Sequence, residues 1–289
     1  MNEAKILKKK GNDAYNRKDY AEAFKCWSKA AERGNAVAQN NVGVCYDEGT
    51  GIAKDEAKAI FWWKKAAENG DVEAQFTIAC RYLEGWGVPQ DLSVSDRQAK
   101  AAYWLTKAAE QGDPQSQRKL GCYYCNGEGV SKDYTKAVYW FTKAAEQGDD
   151  AAQYNLGVCC YEGNGVARDT TKAAELYRKA AEQGHDGAQF NLGCCYHFGN
   201  GVPTGYGKAF EWFSKTAEQG HAGAQYNLAC YYWNDDHIKQ DKKKALEWFE
   251  KAAAQGHAEA KRFLRDYKSQ KAEFAMAVVC DIVGYMTGN

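Results

Sequence analysis

Residues 38–70 decide the fold, and they read AQNNVGVCYDEGTGIAKDEAKAIFWWKKAAENG. The opening Ala-Gln pair recurs at residues 38, 74, 152, 188 and 224, with Ser116-Gln117 standing in once, so the spacings are 36, 42, 36, 36 and 36 residues. A glycine closes each repeat at residues 34, 70, 112, 148, 184, 220 and 256. Self-similarity at a fixed period is the signature of a repeat architecture, and here it indicates seven repeats.

Each repeat has the apolar pattern of two helices, which we call helix A and helix B. In helix B, Ala59, Trp62, Trp63 and Ala66 have the spacing i, i+3, i+4, i+7, and the same spacing recurs within residues 137–144 and 245–252. Helix A carries motifs such as QYNLG at residues 153–157, and a Gly-x-Gly loop joins it to helix B. One repeat cannot bury its apolar stripe alone, so we expect neighbouring repeats to stack.

The second repeat resembles the Sel-one-like repeat (SLR) family of the tetratricopeptide-like (TPR-like) superfamily. The matching residues are Val42, Gly43, Tyr46, Gly49, Gly51, Ile52 and the segment 62–70. The resemblance covers about residues 35–260. It implies an all-α, right-handed α/α superhelical solenoid of about seven SLR/TPR-like helix-pair repeats plus a C-terminal capping helix, and a role as an adaptor in protein complexes. The expected boundaries are 1–34 for a TPR-like first repeat, then 35–70, 71–112, 113–148, 149–184, 185–220 and 221–256, with capping helices in 257–289.

Two departures from the repeat pattern predict local structure. The third repeat is six residues longer, and the extra length falls around Leu92 to Arg97. We expect a protruding loop or an extended helix start there. The apolar stretch from Ala272 to Met286 is interrupted by Asp281, so we interpret it as a cap over the last helix pair rather than a membrane span.

Charge and composition exclude several classes of function. Lys and Arg number 38 and so do Asp and Glu, and a net charge of zero lacks the basic excess that nucleic-acid binding needs. The first ten residues are charged and have no apolar stretch behind them, so neither a secretory signal nor a spanning segment is predicted. We therefore expect a cytoplasmic protein that binds a protein or peptide, with no cofactor and with no small-molecule ligand.

The eleven cysteines are the most unusual feature of the composition. An odd number outside a secreted context argues against a disulfide framework. Some cysteine-rich members of the SLR family carry a β-lactam hydrolase label, so the resemblance leaves a β-lactam-type hydrolase or a thiol-dependent enzyme as the alternative function. Cys122 and Cys125 have a metal-type spacing, but no second pair completes a zinc site. The interpretation we favour is that cysteine acts as a small buried apolar residue.

No set of residues in the sequence nominates a catalyst. His185, His221 and His257 recur every 36 residues, directly after the closing glycine, and we interpret them as surface turn residues too far apart to share an ion. There is no Ser/His/Asp set, and the Gly-x-Gly loops lack the preceding strand that a dinucleotide site requires. The sequence therefore predicts a protein that is not an enzyme and has no metal site.

The candidate binding surface is polar and lies on helix A. The equivalent position before the Leu/Val-Gly pair holds an asparagine in four repeats, and an amide side chain can both donate to and accept from a peptide backbone. We predict a concave groove that holds an extended peptide or a partner helix, lined by Asn12, Asn41, Asn155, Asn191 and Asn227 with the neighbouring Tyr123 and Tyr231. The alternative is that each asparagine bonds only within its own solenoid.

The first repeat also resembles the opening of carboxylate-clamp TPR domains, which bind acidic carboxyl termini. Lys8, Asn12 and Asn41 match the first three clamp positions. The positions that should hold a Lys and an Arg hold Glu73 and Thr77 instead. Half of the clamp is therefore absent, and Glu73 would repel a carboxylate.

Overall fold

The structure is a computed structural model that describes residues 3–86, 91–234 and 238–268. All regular structure in these ranges is helical, which confirms the predicted all-α repeat solenoid. The helices are α1 (Glu3–Asn16), α2 (Tyr20–Glu32), α3 (Ala36–Glu48), α4 (Glu56–Glu68), α5 (Val72–Glu84), α6 (Val94–Glu110), α7 (Pro114–Asn126), α8 (Tyr134–Glu146), α9 (Asp150–Glu162), α10 (Thr170–Glu182), α11 (Asp186–Phe198), α12 (Tyr206–Glu218), α13 (Ala222–Asn234), α14 (Lys242–Ala254) and α15 (Ala258–Lys268).

The chain forms two compact units, an N-terminal unit of residues 1–147 and a C-terminal unit of residues 148–289. In the N-terminal unit, α1 to α8 each pack chiefly against the preceding and following helix. In the C-terminal unit, α9 to α15 do the same. Contacts that are mainly between sequence neighbours are the expected pattern of a solenoid, because each repeat buries the apolar stripe of the next.

Glycine in helix A and an aromatic ring in helix B form the core contact of most repeats. A Cβ atom added to Gly43 would lie 2.6 Å from the ring of Trp63, and one added to Gly193 would lie 2.7 Å from the ring of Phe213. The rings of Trp63 and Phe213 are 3% and 0% exposed. The close approach that the small residues were predicted to permit is therefore confirmed, since a side chain at these glycines would occupy the space of the ring.

The glutamine of each Ala-Gln pair explains why the pair repeats. Gln75 is buried, and its Nε2 donates to the carbonyl oxygen of Ala67 at the end of α4, at 3.0 Å. Its Oε1 accepts from Nε2 of Gln111, which follows α6, at 2.8 Å. Gln39, Gln117 and Gln225 make the same two kinds of bond. One buried amide thus joins three successive helices and satisfies a helix-end carbonyl.

The insertion in the third repeat lengthens a helix. α6 begins at Val94 and has 17 residues, whereas the equivalent helices of the adjacent repeats, α4 and α8, have 13. Ser93 caps it, because its side chain accepts from the backbone N–H of Asp96. The predicted extended helix start is confirmed, and residues 87–90 lie outside the described ranges.

Within the residues that the structure describes, one helix follows the seventh helix pair. α15 packs on α14, and the rings of Phe249 and Phe263 stack with their centroids 4.0 Å apart. Phe263 is 8% exposed. This is the first part of the predicted C-terminal cap, and the stretch from Ala272 to Met286 lies outside the described residues.

Candidate partner-binding pocket

A pocket of 390 Å³ opens on the N-terminal unit, between α1, α2, α3 and the start of α5. This volume lies within the range of about 300 to 1,000 Å³ that is usual for ligand sites. Tyr15 and Trp27 supply its aromatic lining, with Tyr15 44% exposed and Trp27 buried. Its amide and carboxylate lining consists of Asn12, Asn16, Asn40, Asn41, Glu48 and Glu73.

Two of the predicted binding residues, Asn12 and Asn41, line this pocket. The indole Nε1 of Trp27 donates to Oδ1 of Asn12 at 2.9 Å, so the amide of Asn12 is held in one orientation. Lys8 lies one turn earlier on α1 but is not part of the lining. The structure therefore brings together two of the three residues that matched the carboxylate clamp, without the lysine.

A hydrogen bond joins two residues of the lining, Asn40, which is buried, and Glu73, which is exposed. Nδ2 of Asn40 donates to Oε2 of Glu73 at 3.0 Å, and Asn40 is 3% exposed. A carboxylate can only accept, so the amide nitrogen of Asn40 must face it and the amide oxygen must point elsewhere. Oδ1 of Asn40 is buried and accepts no hydrogen bond from any described residue. A buried acceptor without a donor costs about 1–3 kcal/mol, and this oxygen has essentially no surface that a ligand could reach.

The sequence contains a signal for Asn40, a residue that was not among those predicted to line the groove. Five residues after the helix A cap, most repeats have an aromatic residue, at Phe76, Tyr154, Phe190 and Tyr226. Asn40 occupies this position in the second repeat. The ring of Tyr226 stacks on His257 of the next repeat at 4.6 Å, whereas Asn40 bonds to Glu73 of the next repeat. In the second repeat a small polar side chain therefore stands where most repeats have a ring, and the pocket lies beside it.

Three other predicted groove residues are in the core. Tyr123, Tyr231 and Asn227 are 5%, 2% and 3% exposed. The hydroxyl of Tyr231 lies 2.7 Å from Nδ1 of His197, and its ring lies 6.0 Å from that of Phe213. All three side chains are buried, so they do not present an open surface to a partner.

Asn191 is engaged within the C-terminal unit. Its side chain hydrogen-bonds with the hydroxyls of Tyr154 and Tyr177. Burial raises the pKa of both tyrosines, and the hydrogen bond with Asn191 partly opposes this rise. At this residue the structure shows bonding within the solenoid, the alternative to peptide binding. Asn155 is half-buried.

Comparison with known proteins identifies the repeats. The sequence profile of the Sel1 repeat matches seven consecutive segments, at residues 11–35, 36–71, 72–113, 114–149, 150–185, 187–221 and 222–257. The chain belongs to the Sel1 repeat family. The match includes the first repeat, which by its sequence is closer to an ordinary TPR.

Two solved structures of Sel1 repeat proteins are similar to the chain over most of its length. One is a protective antigen of uropathogenic Escherichia coli with an SLR fold, at 35% identity and a TM-score of 0.81, over 94% of this chain and 58% of the antigen. The other is a Sel1 repeat protein from Oxalobacter formigenes, at 31% identity and a TM-score of 0.69, over 87% of this chain and 97% of that protein. The chain thus spans somewhat more than half of the antigen. No curated protein is significantly similar to it.

Burial makes Cys45 and Cys195 of these Sel1 repeats poor nucleophiles. The ten cysteines in the described ranges are free thiols, and seven of them are buried. Desolvation by burial raises the pKa of Cys45 to about 11 and that of Cys195 to about 12. A reactive cysteine requires a lowered pKa and an accessible sulfur. The thiol-dependent alternative therefore finds no support at these two residues.

The described residues were also compared with what metal binding and membrane insertion require. No group of three or more His, Cys, Asp and Glu side chains there could hold a metal ion, and Cys122 and Cys125 are part of no such group. None of the helices in those ranges is both long enough and apolar enough to span a bilayer.

The three recurring histidines are structural residues rather than exposed turn residues. Nδ1 of His185 and Nδ1 of His221 each accept the backbone N–H three residues later, at 3.1 Å, and so cap α11 and α13. His221 stacks on Phe190 at 4.5 Å, and His257 is 9% exposed and stacks on Tyr226. The equivalent position holds Asp71, Asp113 and Asp149 in earlier Sel1 repeats, where the carboxylate is the cap.

These histidines predict a loss of stability in mild acid. Burial lowers the pKa of His221 and His257, although Asp186 and Glu259 partly oppose the shift. The folded protein thus binds fewer protons than the unfolded chain, whose histidines titrate near pH 6.5. Stability is full above that pH and falls as the pH drops through it, by at most about 1.4 kcal/mol per pH unit for each histidine. Urea denaturation followed by circular dichroism from pH 8 to pH 5 measures this.

The control is a double variant, His221→Asp with His257→Asp, which has the residue of the earlier repeats. It should lose less stability than the parent between pH 7 and pH 5, because a carboxylate cap titrates in a lower pH range than an imidazole, although burial raises the pKa of the equivalent Asp71. Equal losses of stability in the variant and the parent between pH 7 and pH 5 would contradict the assignment.

Proposed function

We propose that this Sel1 repeat protein is a non-enzymatic scaffold that binds a segment of a partner protein in the pocket of its N-terminal unit. Proteins built from Sel1 repeats are generally protein-interaction scaffolds. The observation that supports this pocket is a cavity of 390 Å³ whose lining includes the amides of Asn12, Asn16 and Asn41 and the exposed ring of Tyr15. A cavity of this size with a few polar groups in its lining is the usual form of a binding site.

The chemistry of the lining suits a polypeptide. The amides of Asn16 and Asn41 can each donate to and accept from a peptide backbone, and they lie beside the exposed ring of Tyr15. A few interface residues usually contribute most of the binding energy. Aromatic residues are enriched among them. The pocket therefore combines main-chain recognition with one apolar contact for a side chain.

We place this function in the cytoplasm. The ten described cysteines form no disulfide, and free thiols are typical of proteins in reducing compartments.

The pocket is tested by filling it. Asn41→Trp puts a large ring into the lining, and we expect it to weaken capture of the partner from cytosol at least tenfold. The matched control is Tyr139→Ala on α8, which removes a ring that is 53% exposed and is not in the lining. Affinity capture with quantitative mass spectrometry compares the parent chain and both variants, after circular dichroism has shown that each variant is folded.

A partner that is lost with Asn41→Trp and kept with Tyr139→Ala supports the proposal. A partner that binds the parent and Asn41→Trp equally shows that another surface is used.

A further inference from the structure

Three exposed aromatic residues stand at equivalent positions of the N-terminal unit, one on each of the helices α4, α6 and α8. We call this set the aromatic ladder, and it consists of Phe61, Tyr103 and Tyr139. These residues are 51%, 54% and 53% exposed. A single exposed ring is ordinary on a protein surface, but rings at the same place in three successive repeats form an extended apolar surface, which is typical of a site of interaction.

The fold does not require these rings. The same position of helix B in α10, α12 and α14 holds an exposed glutamate, at Glu175, Glu211 and Glu247. α10 and α12 nevertheless pack against the helices before and after them, as α4 and α6 do. A glutamate four residues before a lysine supports a helix, whereas an aromatic side chain loses rotamer freedom there. Helix stability therefore favours glutamate at this position, and the rings need a reason other than folding.

Each ring of the ladder has a lysine beside it. The ammonium groups of Lys65, Lys107 and Lys143 lie 4.6, 5.8 and 5.9 Å from the centroid of the ladder ring on the same helix. Within the part of the chain that the structure describes, none of the three lysines forms an ion pair. The equivalent lysines of α10, α12 and α14 follow a glutamate by four residues, and in the ladder a ring replaces that acid. Each rung thus offers an apolar ring next to a positive charge.

The spacing of the rungs suits an α-helix. Packed helices lie about 8–10 Å apart, so successive repeats of a solenoid place equivalent side chains about that far from each other. Seven residues of an α-helix rise about 10.5 Å, which is nearly the same distance. A helix laid along the ladder can therefore bring one apolar side chain onto each ring in every seventh position.

We propose that the aromatic ladder docks an amphipathic helix of a partner protein, with apolar residues that repeat every seven positions and acidic residues beside them. The apolar face of that helix covers the three rings, and its carboxylates pair with Lys65, Lys107 and Lys143. An amphipathic helix bound through its apolar face is a common mode of recognition. The ladder is a second binding surface, because none of its residues lines the pocket.

Other occupants fit this surface less well. Glu68, Glu110 and Glu146 are exposed three residues after the ladder lysines. A nucleic-acid strand carries a phosphate at every nucleotide and would meet these carboxylates, whereas a protein helix can place an acidic residue at each lysine and an uncharged one at each glutamate. A second copy that presented its own ladder would set lysine against lysine, and like charges repel.

The test compares two peptides that have the same apolar face and opposite charge. The acidic probe is three copies of Leu-Ala-Ala-Leu-Glu-Ala-Glu with both ends blocked, and the basic probe has lysine in place of each glutamate. Both are titrated into the full chain and followed by calorimetry. We expect the acidic peptide to bind at least tenfold more tightly, and the difference to shrink as salt is raised. Equal affinities, or no binding of the acidic peptide, would overturn the inference.

One substitution locates the binding on the ladder. Tyr103→Glu gives the central rung the residue that α10, α12 and α14 have at this position, so the helix should accept it, and we expect the affinity for the acidic peptide to fall at least tenfold. The control Phe198→Glu makes a similar change at a ring that is 42% exposed on α11, and it should leave the affinity unchanged. Equal effects of the two substitutions would overturn the assignment.

Two further measurements test the other occupants. A single-stranded thymidine oligonucleotide that binds more tightly than the acidic peptide would overturn the proposal, and so would a dimer in analytical ultracentrifugation that Tyr103→Glu abolishes. The pocket variant Asn41→Trp should bind the acidic peptide as the parent does, so the ladder and the pocket are tested separately. In capture from cytosol, a ladder partner is kept with Asn41→Trp and lost with Tyr139→Ala, the reverse of a pocket partner.

Discussion

Replacing Gly193 by valine is expected to lower the free energy of unfolding by about 3 kcal/mol, the upper end of the usual cost of overpacking a core. Gly193 is on α11, and a Cβ atom there would lie 2.7 Å and 2.9 Å from two ring atoms of Phe213. Phe213 is fully buried, so its ring has no free space to move into. Urea denaturation followed by circular dichroism measures the effect, and hydrogen exchange should show the loss of protection in the C-terminal unit.

The matched control is Gly207→Ala in the same repeat. Gly207 is on α12, and a Cβ atom there would meet nothing within 4 Å. Alanine is the better helix former by up to about 1 kcal/mol, so this variant should be as stable as the parent or slightly more stable. Valine at 193 without loss of stability would show that α11 and α12 are not held at the close distance described here.

The repeat architecture follows from the sequence because it depends on local pattern. Three features of the sequence have a direct counterpart in the structure. They are the period of 36 residues, the pairing of small residues with large rings, and the i, i+3, i+4, i+7 spacing of Ala59, Trp62, Trp63 and Ala66. The extra length of the third repeat also has one, in the longer α6. Such features need only the helical period and the volume of the side chains.

The role of Gln75 and its equivalents was not predictable from the sequence in the same way. The Ala-Gln pair marks the period, but the two bonds of Gln75 reach Ala67 and Gln111, at the ends of two other helices. Which groups lie within 3 Å of a buried amide is a property of three packed helices. Sequence spacing carries no information on it.

The candidate site was only partly predictable, because equivalent positions differ in their surroundings. Asn41 and Asn227 occupy the same place in the repeat, yet Asn41 lines the pocket and Asn227 is 3% exposed. Asn227 follows Tyr226, whose ring stacks on His257, whereas Asn41 follows Asn40. The residue before the asparagine is thus a bulky tyrosine in one repeat and a smaller asparagine in the other. The repeat pattern alone therefore overestimates how many asparagines are available to a partner.

Gly201→Ala is expected to lower the free energy of unfolding by about 3 kcal/mol or more, because two costs add. Gly201 is the second glycine of a Gly-x-Gly loop and has φ +72°, a left-handed conformation that costs an alanine roughly 1–2 kcal/mol. A Cβ atom there would also overlap the backbone carbonyl of Thr170, at the start of α10. Backbone atoms cannot rotate away as a side chain does, so overpacking adds about 1–3 kcal/mol.

Gly220→Ala separates these two costs. Gly220 has φ +99°, but a Cβ atom there would meet nothing within 4 Å. We therefore expect it to lose only the conformational part, about 1–2 kcal/mol, measured as the shift in the urea midpoint of the full chain. A larger loss for Gly201→Ala than for Gly220→Ala shows that the loop is held against the helix B of the preceding repeat. Equal losses would mean that the second glycine is required by its backbone conformation alone and that this contact adds nothing to the stacking of the repeats.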